Sequence, residues 1–74
     1  MNEHLSKSFG SIIRELRIEK NLSQEELAFK AGVHRTYIGM IERGEKNITL
    51  ENIKKLAVSL DTSMNIIFEK LETS

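Results

Sequence analysis

Apolar residues recur at helical spacing along this chain, and the polar segments between them contain no proline. The first run places apolar side chains at i, i+3, i+4 and i+7: Phe9, Ile12, Ile13 and Leu16. This spacing predicts an amphipathic helix from about Ser6 to Lys20, whose start Gly10 is expected to weaken. Strand-like alternation is hard to find, so the pattern predicts an all-α fold.

Capping residues mark where a second helix begins and ends. Asn21 is suited to a left-handed stop after the first helix, and Ser23 follows as the next N-cap. Glu26, three residues after Ser23, completes a capping box. Gly32 closes this short helix, because glycine permits the positive φ that a sharp turn requires.

Three more helices are predicted after this turn. The third runs from about His34 to Arg43, and the polar residues 45–49 form a loop. The fourth and fifth helices each follow a hydroxyl N-cap, Thr49 and Ser63 respectively. The chain is therefore expected to form one compact five-helix domain over residues 1–74.

Residues 24–43, QEELAFKAGVHRTYIGMIER, fit the pattern of a helix-turn-helix. The apolar edge of the second helix ends at the turn, and Val33, Ile38 and Ile41 resume the pattern in the third helix. Ala28 is small, as expected where another helix crosses close above it. An ordinary αα-hairpin inside a helical bundle is the alternative.

The third helix would then be the recognition helix, which enters the major groove with its N-terminal residues against base edges. Placing Ile38 and Ile41 in the core puts Arg35 at the exposed edge and turns four residues outward: Thr36, Gly39, Met40 and Arg43. Arg35 can donate two hydrogen bonds to guanine, and Thr36 can reach a base or a thymine methyl. Met40 offers an apolar contact, and Gly39 allows close approach. The alternatives are a solvated arginine at 35 and a core-filling methionine at 40.

Other polar residues are placed to contact phosphates, which position a protein on DNA but carry little sequence information. Ser23 and Gln24 lie at the N-terminus of the second helix, whose N–H groups and positive dipole favour an anion. Tyr37 lies on the flank, where its hydroxyl could bond a phosphate or its ring could be purely structural. The turn after the third helix adds three candidates: Arg43, Lys46 and Asn47.

Arg17 and Glu42 border the apolar stripes of the first and third helices. Because the first helix crosses the third in this architecture, the two side chains are expected to form a partly buried ion pair. Such a pair would fix the position of the recognition helix. Two unrelated surface charges are the alternative.

The last helix carries more apolar residues than so short a helix can bury within one monomer: Ile66, Ile67, Phe68 and Leu71. A symmetric pairing through residues 60–72 would form an isologous dimer interface. The two recognition helices would then lie about 34 Å apart and face a palindrome. The alternative is that all four residues complete the monomer core.

The charge balance is unusual for a nucleic-acid-binding module, because eleven basic and eleven acidic residues cancel. A positive face would need the acids to gather on the opposite side, and modest non-specific affinity is expected. The residues available for this are Glu15, Glu19, Glu25, Glu26, Glu51, Glu69 and Glu72.

The sequence contains no pattern of residues that is typical of a catalytic site or a metal site. Cysteine is absent, and the two histidines, His4 and His34, have no partners at metal-ligand spacing. We expect no active site, no metal and no cofactor. The apolar runs are too short for a membrane span and no signal-peptide pattern is present, so a cytoplasmic location is expected.

At these residues the chain resembles the lambda-repressor-like, or xenobiotic-response-element-type, helix-turn-helix family. The segments that carry the resemblance are IIRELRIEKNLSQEELA, TYIGMIERG and LENIKKLAVSL, within residues 9–68. The resemblance implies a five-helix domain, an Arg17–Glu42 bridge, a phosphate contact at Gln24, and base contacts at Arg35, Thr36 and Met40. Two junctions depart from the family's usual glycines: Asn21, and the segment Asp61-Thr62-Ser63.

Within that family, HRTYIGMIERGEKNITLENIKKLA is most similar to the controller proteins of restriction–modification systems. This implies a small dimer that regulates its own operon and the endonuclease gene through palindromic operator DNA, with RNA polymerase as a further partner. No ligand-sensing domain is evident, so no small-molecule ligand is expected. The alternatives are a phage-type or antitoxin autorepressor, and a protein-interaction module that has lost DNA binding.

Overall fold

Five α-helices follow one another along residues 3–74, the part of the chain that the computed structural model describes. Their bounds are α1 Glu3–Glu19, α2 Gln24–Ala31, α3 Arg35–Glu42, α4 Leu50–Ser59 and α5 Met64–Glu72. The expected all-α, five-helix architecture is confirmed, with the helix-turn-helix at α2 and α3. Helix α1 begins earlier than the pattern predicted, at Glu3 rather than Ser6.

Side-chain caps begin four of the helices. The Ser23, Thr49 and Ser63 hydroxyls each accept a hydrogen bond from the backbone N–H three residues on, at 3.0, 3.1 and 3.1 Å. His34 Nδ1 accepts from the Thr36 N–H at 3.0 Å and caps α3. The Ser23 box is complete, since Glu26 accepts from the Ser23 N–H at 2.8 Å. The hydrogen bonds from Ser23 lower the pKa of Glu26, so this cap holds a charged carboxylate.

Left-handed residues end the first four helices. Gly32 and Gly44 have φ of 70° and 75°, and Asn21 and Asp61 adopt 57° and 55°. The next residue in each case donates its N–H to a carbonyl five positions back, as Leu22 does to Arg17 at 3.1 Å. Because asparagine and aspartate tolerate this conformation, both junctions that lack glycine still close normally.

The core lies between the helices: α1 packs against α3 and α5, α2 packs against α3 and α4, and α4 packs against α5. Its buried apolar residues are Phe9, Ile12, Ile13, Leu16, Leu27, Ala28, Ala31, Ile38, Ile41, Ile53, Leu56, Ala57, Leu60 and Ile67. Ala28 is buried on α2 as its small size predicted. No helix within residues 3–74 is long and apolar enough to cross a lipid bilayer.

Gly10 has a different role from the one the sequence suggested. It is buried inside α1, and a Cβ there would lie 2.8 Å from the Glu42 carbonyl oxygen and closer still to that of Ile41. The glycine therefore allows α1 to cross directly over the end of α3. The expectation that Gly10 weakens the start of the helix was wrong, because α1 begins at Glu3 and Gly10 lies in its interior.

The apolar residues of α5 divide between the core and the surface. Ile67 is fully buried in the core, so its prediction as a dimer contact was wrong: the side chain is not accessible to a partner. Leu71 is partly buried and packs against that core. Ile66 and Phe68 remain 43% and 36% exposed, because a helix on the edge of the bundle buries only one side.

Candidate nucleic-acid interface

A buried ion pair joins α1 to α3. Arg17 Nε and Nη2 donate to the two carboxylate oxygens of Glu42 at 2.7 and 3.0 Å, and Arg17 Nη1 donates to the Leu22 carbonyl at 2.9 Å. The two side chains are only 12% and 3% exposed. The hydrogen bond to Glu42 raises the pKa of Arg17, so the guanidinium keeps its charge in this pair.

Gln24 extends this pair to the start of α2. Its Nε2 donates to Glu42 Oε1 at 3.0 Å, and the same oxygen accepts from Arg17. The link between Gln24 and Glu42 was not foreseen, because Gln24 was considered only as a phosphate contact. One carboxylate therefore holds the candidate phosphate-binding amide against α3, beside the exposed N-cap Ser23.

One side of α3 presents side chains to solvent. Arg35 and Thr36 are exposed, and Met40 is partly exposed. The opposite side of the helix carries the buried Ile38 and Ile41. The exposure of Thr36, Met40 and Arg43 agrees with the outward orientation that the helical period predicted, and Arg35 lies at the exposed edge as expected.

Gly39 does not face open solvent, so this part of the predicted surface was wrong. The residue is buried, and a Cβ on it would lie 3.2 Å from Arg43 Nη1 and 3.7 Å from Gln24 Oε1. A helical projection of α3 alone could not show this, because the covering atoms belong to two long side chains. Gly39 provides the space in which those side chains approach each other.

Both arginines of this surface are paired with glutamates of the same chain. Arg35 Nη1 donates to Glu25 Oε2 at 2.9 Å. Arg43 Nε and Nη2 donate to the two oxygens of Glu45 at 2.9 and 3.2 Å. The hydrogen bond between Arg43 and Glu45 raises the pKa of the arginine and lowers that of the glutamate. Glu25 was expected among acids on the opposite side, and its position beside Arg35 corrects that expectation.

Tyr37 links α3 to α4. Its hydroxyl accepts a hydrogen bond from Asn52 Nδ2 at 2.8 Å, and the ring packs against the core. The tyrosine therefore has a structural contact, while its own hydroxyl proton stays available for an acceptor such as a phosphate.

The residues after α3 complete the surface. Gly44 turns the chain, and Lys46 and Asn47 are exposed in the loop that leads to Thr49. We use the term recognition face for the set of candidate DNA-contacting residues: Ser23, Gln24, Arg35, Thr36, Tyr37, Met40, Arg43, Lys46 and Asn47. Within residues 3–74, no group of three His, Asp or Glu side chains is placed to hold a metal ion.

The sequence and the structure both match known proteins. A helix-turn-helix family model matches residues 13–67. The control protein C.BamHI of Bacillus amyloliquefaciens is 46% identical over 61 residues, which cover 81% of this chain and 75% of that protein.

Two solved structures share the fold. The restriction–modification controller protein C.AhdI from Aeromonas hydrophila is 49% identical, with a TM-score of 0.83 over 85% of this chain and 96% of the other. The controller protein C.Esp1396I, solved as a tetramer with its natural 35-base-pair operator, is 33% identical. It has a TM-score of 0.88 over 97% of this chain and 95% of the other.

Proposed function

The chain belongs to the helix-turn-helix family of DNA-binding transcription regulators, among the restriction–modification controller proteins, and we propose that it binds a palindromic operator as a homodimer. The observation that carries this proposal is that the N-terminal residues Arg35 and Thr36 of α3 are exposed, while Ile38 and Ile41 are buried in the core. The C-terminal end of α3 is fixed by the ion pair between Glu42 and Arg17. The family consists of regulators and not of enzymes. The operon it controls would be that of a restriction–modification system.

The exposure of each side chain suggests which residues contact bases and which contact phosphates. Arg35 and Thr36 read base edges, and Met40 adds an apolar contact. The phosphate contacts come from both ends of the recognition face: Ser23, Gln24, Tyr37, Arg43, Lys46 and Asn47. Gln24 is well suited because Glu42 orients its amide at the N-terminus of α2.

Selection of the purified protein against random duplex DNA tests this function. Enrichment of a palindrome with half-sites about one helical turn apart is expected. Arg35→Ala should lose about 1–3 kcal/mol of specific binding and relax the preference at one base position. Lys54→Ala is the matched control, because it also removes an exposed basic side chain. Lys54 lies beside Lys30 on the α2–α4 side of the fold. No enrichment by the parent protein would favour a protein-interaction module instead, in keeping with its zero net charge.

Dimerisation through α5 is the second part of the proposal. Ile66 and Phe68 remain exposed in the monomer, and partly buried Leu71 lies on the same helix. The related controller protein C.Esp1396I forms a tetramer in complex with its operator. Because the surface is apolar, a symmetric contact between two α5 helices would remove it from water. Contact with RNA polymerase and a cytoplasmic location stay predictions.

Replacing Phe68 with serine should raise the dimer dissociation constant by a factor of roughly 30, the equivalent of losing about 2 kcal/mol at an interface hot spot. Phe29→Ser is the matched control, because Phe29 is 87% exposed but lies on α2. Sedimentation velocity over a concentration series measures the dimer dissociation constant of each variant. Equal association of the two variants would remove α5 as the dimer interface.

A further inference from the structure

Both arginines of the recognition face form ion pairs with carboxylates of the same chain. Arg35 pairs with Glu25 through one hydrogen bond, and Arg43 pairs with Glu45 through two. All four side chains are more than half exposed to solvent, so no packing obliges them to stay together. Each pair contributes no net charge to a surface where DNA would have to be attracted.

We propose that Glu25 and Glu45 compete with DNA for Arg35 and Arg43. This competition lowers the affinity of the protein for duplexes of any sequence. The inference rests on the DNA-binding function proposed above. It names the residues that limit affinity, which neither the fold nor the resemblance to relatives assigns.

The Arg43 pair is the stronger of the two competitors. Glu45 occupies Nε and Nη2, the edge with which a guanidinium grips a phosphate through two parallel bonds. The remaining Nη1 lies over Gly39, only 3.2 Å from where a Cβ would stand. A bidentate phosphate contact by this edge of Arg43 therefore requires Glu45 to leave, and the released carboxylate then repels the same phosphate.

The Arg35 pair is weaker by the same reasoning. Glu25 occupies only Nη1, which leaves Nε and Nη2 free to donate to guanine O6 and N7. Glu25 then acts mainly through its negative charge near the DNA. Removing Glu45 is therefore expected to change DNA affinity more than removing Glu25.

The test compares Glu45→Gln and Glu25→Gln with the parent protein on two duplexes, one of random sequence and one selected by the parent. Glu45→Gln should bind both duplexes about twofold to fivefold more tightly, the range typical of an exposed ion pair. The gain is the same on both because a phosphate contact carries no sequence information. The slope of log K against log salt should steepen by about 0.9, since one further phosphate is neutralised. Glu25→Gln should show a smaller gain.

Glu15→Gln is the control for net charge, because Glu15 is exposed on α1 beside Lys70 and away from both arginines. Thermal unfolding of each variant verifies that it is folded, and Glu45→Ser provides a second substitution at the decisive position. An affinity for Glu45→Gln no higher than that of Glu15→Gln overturns the inference. A gain confined to the selected duplex overturns it as well.

The two proposals fail in different ways. If the parent selects a palindrome but Glu45→Gln binds no more tightly, DNA binding stands and only the competition is wrong. If neither the parent nor any variant binds a duplex at low salt, the proposed function is wrong and the competition falls with it.

Discussion

Glu42→Ala is expected to lower the free energy of unfolding by about 3–5 kcal/mol, the range for breaking a well-buried ion pair by removing one partner. Glu42 is 3% exposed and holds both Arg17 and Gln24. Its loss leaves the Arg17 guanidinium largely out of water, with the Leu22 carbonyl as its remaining hydrogen-bond partner. For a chain of 74 residues this is a large part of the total stability, which is about 5–15 kcal/mol for ordinary domains.

Urea unfolding followed by circular dichroism measures this loss, with all proteins at one concentration because a dimer unfolds in a concentration-dependent way. Sucrose in every sample keeps the weakest variant folded at the start. Glu45→Ala is the matched control: it also removes a glutamate that pairs with an arginine, but the Arg43 pair is exposed. Its cost is expected to stay below about 1 kcal/mol. Equal losses for the two variants would show that the Arg17–Glu42 pair contributes no more than a surface contact.

The elements of this fold could be predicted because their signals are local. A hydroxyl at Ser23 with Glu26 three residues on, and apolar residues at helical spacing, depend on the chain's own neighbours. Asn21 could be recognised as a left-handed residue for the same reason. The family resemblance then supplied the way in which the five helices pack together.

The details of the recognition face could not be predicted, because they depend on side chains that meet across the fold. Gly39 is covered by Gln24 and Arg43, which approach it from another helix and from the helix end. The pairing of Arg35 with Glu25 likewise joins two helices whose relative rotation no periodicity defines. Ile67 was misplaced because an apolar helix at the edge of a bundle has both a buried and an exposed apolar side.

Gly10→Ala is expected to destabilise the protein by about 3 kcal/mol, the upper end of the usual cost of overpacking. In an exposed helix interior, the same change stabilises by roughly 1 kcal/mol, so the sign of the effect reports on the crossing itself. The added methyl would meet the carbonyl oxygens of Ile41 and Glu42. Backbone atoms cannot rotate away as a flexible side chain can, so α1 has to move off α3.

This displacement should also weaken the Arg17–Glu42 pair, which spans the same two helices. The unfolding free energies of Gly10→Ala, Glu42→Ala and the double variant therefore form a thermodynamic cycle, in which the double variant loses less than the sum of the single losses. Ser11→Ala is the control, since Ser11 is exposed on the next position of α1 and should change stability by less than about 0.5 kcal/mol. A Gly10→Ala protein as stable as the Ser11→Ala protein would show that α1 and α3 can separate at no cost. Strict additivity would show that the crossing and the ion pair act independently, and that the recognition helix is held at two separate points.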